Sequence, residues 1–131
     1  GFLIYLSQIF NIIVVSILKD LIQRPRPFLS LPDLHPLISL PTSYSFPSGH
    51  ASASFAFAVI IAYCLKKWTI PAYLLAITIA FSRVYVGVHY PSDIIVGAIF
   101  GVISSIIIIL FYNKILLKYF KNKLIKLKIE F

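Results

Sequence analysis

The residues able to do chemistry fall in three short clusters, each at the edge of an apolar run. In the third, Ser82-Arg83 is followed by His89 and Asp93 in a chain that holds few polar groups. Charged side chains beside hydrocarbon are costly, so they are candidates for function by default. His89 can attack phosphorus through a neutral ring nitrogen, provided that the other nitrogen donates its proton to a fixed acceptor. Asp93, four residues on, can be that acceptor. A buried carboxylate in this role holds the tautomer and stabilises the imidazolium, as in a Ser-His-Asp triad. Arg83 can neutralise phosphoryl oxygens that gain charge in the transition state.

The first cluster runs from Lys19 to Pro27 and contains Lys19, Arg24 and Arg26. Pro25 and Pro27 break the helix there, so Lys19 and Arg26 can converge rather than project along one rod. Convergent cations suit a phosphate, Arg as a planar fork and Lys as a point charge. Anchoring at the membrane interface is an equally good account of these cations taken alone. It is the better account of Arg24. The second cluster is Pro47-Ser48-Gly49-His50. Ser48 is a good N-cap, Gly49 lets the backbone approach a ligand, and a helix start attracts anions. His50 stands in the first turn, where it can protonate a leaving oxygen. A plain helix start with a surface histidine is the bland alternative.

The elements that must position these clusters are hydrophobic helices. The chain has 131 residues, 60% of them hydrophobic, with a mean hydropathy of +0.94. Soluble domains are usually about 45–50% apolar. The fold class expected is therefore all-α, an integral membrane helical bundle forming one domain over residues 1–131, with helices at about 2–22, 48–65, 70–85 and 91–119. Phe2 to Ile22 would span roughly 30 Å, a bilayer core. The segment from Gln23 to Phe46 carries five prolines and reads as a loop with room for a short turn near Pro32 to Ile38. Asp33 and His35 in it fit a surface role. Small residues at the start of the second helix, and Gly97 with Gly101 in the last, are read as packing faces. Cys64 is the sole cysteine, so no intrachain disulfide forms, and it is expected as a small core residue.

Net charge is +8, which topology explains better than nucleic-acid binding. Lys66, Lys67, Lys114, Lys118, Lys121, Lys123, Lys126 and Lys128 share one side of an up-down bundle. The other side has Lys19, Arg24, Arg26 and Arg83. The lysine-rich side is cytoplasmic by the positive-inside rule, with Trp68, Tyr73, Phe111, Tyr112, Tyr119 and Phe120 as its aromatic belt. The clusters then face outside. Residues Lys121 to Phe131 are expected as a basic tail at the interface, with a helical extension open to it. Acids other than Asp93 are limited to Asp20, Asp33 and Glu130, too sparse for a two-metal phosphatase site.

Together, Lys19-x6-Arg26-Pro27, Pro47-Ser48-Gly49-His50 and Ser82-Arg83-x5-His89-x3-Asp93 resemble the three-part signature of the type 2 phosphatidic acid phosphatase (PAP2) superfamily. All three parts are present, in order, from Lys19 to Asp93. The family contains integral lipid phosphatases and soluble vanadium haloperoxidases. The resemblance implies a core of that type and hydrolysis without a metal or other cofactor. It implies His89 as nucleophile through a phosphohistidine, Asp93 as its orienting group and His50 as the acid for the leaving group. It also implies Lys19, Arg26, Ser48, Gly49 and Arg83 as phosphate ligands. The expected partners are the bilayer and a lipid phosphate: phosphatidic acid, phosphatidylglycerol phosphate or, preferred, a polyprenyl diphosphate such as undecaprenyl diphosphate. A lipid phosphotransferase and a non-catalytic anion-binding module are the alternatives; transmembrane helices disfavour a haloperoxidase. Membrane members commonly have two helices before the first motif, against one apolar segment here. With Gly rather than Met in first position, one or two further N-terminal helices are expected.

Overall fold

The computed structural model describes residues 1–129, the side chains of residue 120 and residues 123–129 excepted. All regular structure among these residues is helical: α1 (Phe2–Ile22), α2 (Pro27–Ser30), α3 (Gly49–Cys64), α4 (Thr69–Tyr85) and α5 (Pro91–Ile129). A 3₁₀ turn at Lys66–Trp68 joins α3 to α4. Three helical stretches are long and apolar enough to cross a membrane: Phe2–Ser30, Lys66–Tyr85 and Pro91–Tyr119. The shorter apolar α3 lies among the other long helices and packs most extensively on α5, then on α4 and α1.

Close packing here depends on small side chains. Ala51, Ala56, Ala58, Ala72, Ala76 and Ala80 are buried, while Ile9, Ile12, Ile17, Leu74, Ile77 and Ile99 face outward. Lipid is as apolar as leucine, so helices gain by approaching each other rather than by hiding large side chains. Gly97 and Gly101 carry the α3–α5 contact. A Cβ at Gly97 would sit 2.6 Å from the Ser48 carbonyl oxygen, and one at Gly101 would overlap that of Ser52. Polar side chains stitch the interior. Ser7 Oγ lies 2.7 Å from Ser105 Oγ, Ser52 donates to Asn11 Oδ1 at 2.5 Å, and Gln8 donates to the Ala53 carbonyl at 3.0 Å. Such bonds contribute about 0.6 kcal/mol each in a membrane interior.

Helix ends bring the motifs together. Helix α1 stops at Gln23, whose φ of 50° is left-handed and whose N–H caps the Lys19 carbonyl. The reversal sends Arg24 to Pro27 back across the end of the bundle. Pro27 then opens α2, because a proline at the first helical position lacks only an N–H that has no helical partner. This helical turn was not expected inside the loop; the expected turn falls at Pro32–Asp33. Between α4 and α5, Gly87 adopts φ 79°, a region that favours glycine. The N–H groups of Val88 and His89 both reach back to the Arg83 carbonyl at 3.2 Å.

Other expectations need correction. Helix α3 ends at Cys64, so Lys66 and Lys67 lie in the following turn rather than closing the helix. Cys64 is exposed, since the core positions of so tight a bundle go to alanine and serine. Tyr73 turns partly inward and meets Phe55 edge-on at 6.1 Å, whereas Trp68, Phe111 and Tyr119 of the expected belt are exposed. Helix α5 runs past the expected end at Tyr119 to Ile129, about 58 Å at 1.5 Å per residue, so the basic tail begins as a helical extension. Glu130 and Phe131, and the side chains of Phe120, Lys123, Lys126 and Lys128, lie outside the described residues. Tyr63 donates to Asn113 at 2.7 Å, which sets Lys66, Lys67, Lys114 and Lys118 toward the end of the bundle opposite the clusters.

Candidate active site

The C-terminal ends of α1 and α4 and the N-terminal ends of α3 and α5 meet at one end of the bundle. They enclose a cavity of about 450 Å³ lined in part by Lys19, Arg26, Gly49, His50, Arg83 and His89. Six of the eight residues expected at a site thus face one space. Asp93 and Ser48 stand behind it, both fully buried.

Asp93 accepts from four groups. Its Oδ2 takes the Tyr90 N–H at 2.9 Å, the Ser45 hydroxyl in a short bond, and His89 Nδ1 at 3.4 Å. Its Oδ1 takes Arg24 Nη1 at 2.7 Å. A carboxylate accepts and does not donate, so the His89 proton sits on Nδ1 and the lone pair is on Nε2, on the side where Arg26 lines the cavity. His89 is 4% exposed, and burial, with Arg26 and Lys19 nearby, holds its pKa below the ordinary value despite the opposing hydrogen bond to Asp93. The imidazole is therefore neutral at neutral pH, the state a nucleophile needs.

Arg26 is buried and held on all sides. Nε donates to the Ser43 carbonyl at 2.7 Å, Nη2 to Ser43 Oγ at 3.0 Å, and Nη1 to the Val88 carbonyl at 2.9 Å. Nη1 also lies 3.3 Å from His89 Nε2, so its positive charge stands beside the nitrogen that would attack. Lys19 Nζ donates to the Tyr44 carbonyl at 2.5 Å. Arg83, part-buried, reaches Ser82 Oγ at 3.2 Å on the cavity wall. His50 is exposed in the first turn of α3. At Gly49 an added Cβ would meet only Val15, at 3.9 Å, so the backbone is open to a ligand. Ser48 is the N-cap that was expected: its Oγ accepts from the Ala51 N–H at 3.4 Å, and its own N–H donates to the Asp93 carbonyl at 3.0 Å. Its side chain does not line the cavity.

A model of the PAP2 superfamily matches residues 1–116. The chain belongs to the PAP2 superfamily. Among its PAP2 relatives, an undecaprenyl-diphosphatase of Sulfolobus acidocaldarius is 35% identical over 102 residues, covering 77% of this chain and 50% of the relative. The crystal structure of Aquifex aeolicus LpxE superposes with a TM-score of 0.75 at 33% identity, covering 82% of this chain and 65% of that one. A transmembrane PAP2-type phosphatidylglycerolphosphate phosphatase from Bacillus subtilis gives 0.72 at 29% identity, with 88% and 60% covered. The chain spans about half the length of the curated relatives it matches.

Two things escaped the sequence reading of this PAP2 site. Arg24, expected to anchor at the interface, is instead bonded to Asp93 and Ser92, with its guanidinium 4.0 Å above the Tyr90 ring. The segment Ser43–Ser45 forms a wall of the site, through two carbonyls, the Ser43 hydroxyl and the buried Ser45 hydroxyl. Carbonyls carry no residue-type signal, and the one available hint was that these serines lie just upstream of the second cluster. Asp33 and His35 are exposed, as expected.

Proposed function

We propose that this chain hydrolyses a phosphate monoester or diphosphate on a membrane lipid, without a metal, through a phosphohistidine at His89. The observation that carries this reading is the buried His89–Asp93 pair, with Nε2 facing a cavity walled by Lys19, Arg26 and Arg83. His89 Nε2 forms a bond to phosphorus while the bond to the leaving oxygen breaks, and His50 gives that oxygen a proton. Water then attacks the phosphohistidine as His50 takes a proton from it, and the P–N bond breaks to release phosphate. Asp93 keeps Nδ1–H in place and stabilises the cationic ring. Lys19, Arg26, Arg83 and the helix start at Gly49 bind the phosphoryl oxygens. Lys19, Arg26 and Arg83 on the cavity wall supply the positive charge that meets the phosphate.

A polyprenyl diphosphate is the preferred substrate, consistent with the undecaprenyl-diphosphatase relative. The site faces the extracytoplasmic side of the cell membrane, because the exposed lysines gather at the other end. Phosphate release from a panel of lipid mono- and diphosphates in EDTA tests the chemistry. Release should persist in EDTA and vanish in His89→Ala; dependence on a divalent ion would defeat the reading. Ser39→Cys, made in a Cys64→Ser background, should react with an impermeant thiol reagent from outside the cell. Protection from outside would reverse the orientation.

A further inference from the structure

Arg24 sits two residues before Arg26, yet the two arginines do different things. Pro25 separates them, and the extended backbone at Arg26 (φ −76°, ψ 156°) sends the side chains apart. Arg26 reaches the cavity side of His89, at Nε2. Arg24 reaches the far side of Asp93, at Oδ1, and does not line the cavity. Its contacts form a closed set. The side chain bonds Asp93 Oδ1 at 2.7 Å and Ser92 Oγ at 2.8 Å, and covers the Tyr90 ring. Its backbone carbonyl accepts the Ser45 N–H at 2.9 Å, and the Ser45 hydroxyl in turn donates to Asp93 Oδ2. Arg24 is therefore tied to one carboxylate oxygen directly and to the other through a single residue. Ser48 N–H on the Asp93 carbonyl adds a third tie.

We propose that Arg24 is a positioning residue that acts on His89 through Asp93, clamping the carboxylate and partly neutralising it. The proposal rests on the phosphohistidine reading above. The clamp has two consequences. It fixes the oxygen that His89 Nδ1–H must find. It also withdraws negative charge from Asp93, so that the carboxylate orients the imidazole without drawing a second proton onto it. A bonded cation favours the charged carboxylate and disfavours its holding of a proton. The other charged or titratable groups that face His89 are Arg26 and Lys19 from the α1 side, His50 from α3 and Arg83 from α4. All remain in an Arg24 variant, so a change in the acid limb reports on the clamp.

The test uses the membrane-embedded full chain, with a lipid phosphate that it hydrolyses and with inorganic phosphate as competitive probe. Arg24→Ala should lower kcat roughly tenfold to a hundredfold, as loss of an outer partner of an oriented histidine does, with KM and the phosphate inhibition constant within about threefold. The acid limb of kcat/KM should move to higher pH by roughly half a unit or more, because uncompensated Asp93 favours the imidazolium. Arg24→Lys should restore most of kcat. Arg26→Ala, in contrast, should weaken phosphate inhibition. Unchanged kcat in Arg24→Ala would overturn the proposal in favour of interface anchoring. A rise in KM and in the phosphate constant at unchanged kcat would overturn it in favour of direct phosphate binding. If Arg24→Ala fails to fold, Tyr90→Leu decides. It removes the ring beneath the guanidinium but keeps the backbone N–H to Asp93, and should give a smaller fall in kcat with the same constant KM; no fall would count against the clamp. If the wild-type chain releases phosphate but His89→Ala does too, the underlying reading fails, not the clamp.

Discussion

The two halves of the site differ in how tightly they are held. His89 and Asp93 are 4% and 0% exposed, with every polar atom of the carboxylate and ring accounted for by Arg24, Arg26, Ser45 and Tyr90. His50 is exposed and Arg83 only part-buried across the cavity. A nucleophile needs one tautomer, one direction of attack and a dry setting, all of which burial and bonding provide. The opposite half is open, which suits the proposed entry of a headgroup and release of a lipid. On the proposed reading, pre-organisation is concentrated at the residue that would bond phosphorus.

This contrast can be broken experimentally. His89→Ala should reduce turnover by roughly four orders of magnitude, to the residue left by binding alone, comparable to the loss of a triad nucleophile. Asp93→Asn should cost about 10²–10⁴-fold, since an amide cannot hold the same tautomer; phosphate release on both variants checks this. His50→Ala should cost about 10²–10⁴-fold on an alkyl ester, but far less on a substrate with a good leaving group such as p-nitrophenyl phosphate. An equal loss on both would deny His50 its role as an acid. Arg83→Ala should fall less, mainly in kcat/KM. The smallest expected effect is on the pH profile. His89 is held below its ordinary pKa of about 6.5, and its neutral form is the one proposed to attack. The acid limb of kcat/KM should therefore lie below pH 6.5, activity rising as pH climbs through it; a limb above 6.5 would mean that burial and the nearby cations do not outweigh Asp93.

The helices, and the meeting of His50 and His89 at one cavity, were legible because hydropathy and motif spacing report directly on burial and on side-chain type. Gly97 and Gly101 read correctly as a packing face, since only glycine admits the Ser48 and Ser52 carbonyls so near. What was hidden lay in contacts between distant segments. Arg24 looked like an anchor because its partner, Asp93, is 69 positions away. Ser45 carried no signal of its own, because its importance comes from a buried hydroxyl beside a carboxylate. Ser48 read as both a cap and a phosphate ligand; the cap is present, and its buried hydroxyl lies behind the cavity wall. Cys64 was misplaced because hydrophobicity means core in water but does not separate core from lipid-facing positions in a membrane.

The claim that His89 forms a covalent bond to phosphorus is tested most directly by trapping. Membranes containing the chain are incubated with lipid phosphate in EDTA, quenched at alkaline pH to preserve phosphoramidates, and sequenced by mass spectrometry. The account predicts a phosphoryl group on His89, present in wild type, accumulating in His50→Ala with an activated leaving group, and absent from His89→Ala. Phosphate release with no label on His89, or with the label on another residue, would contradict it.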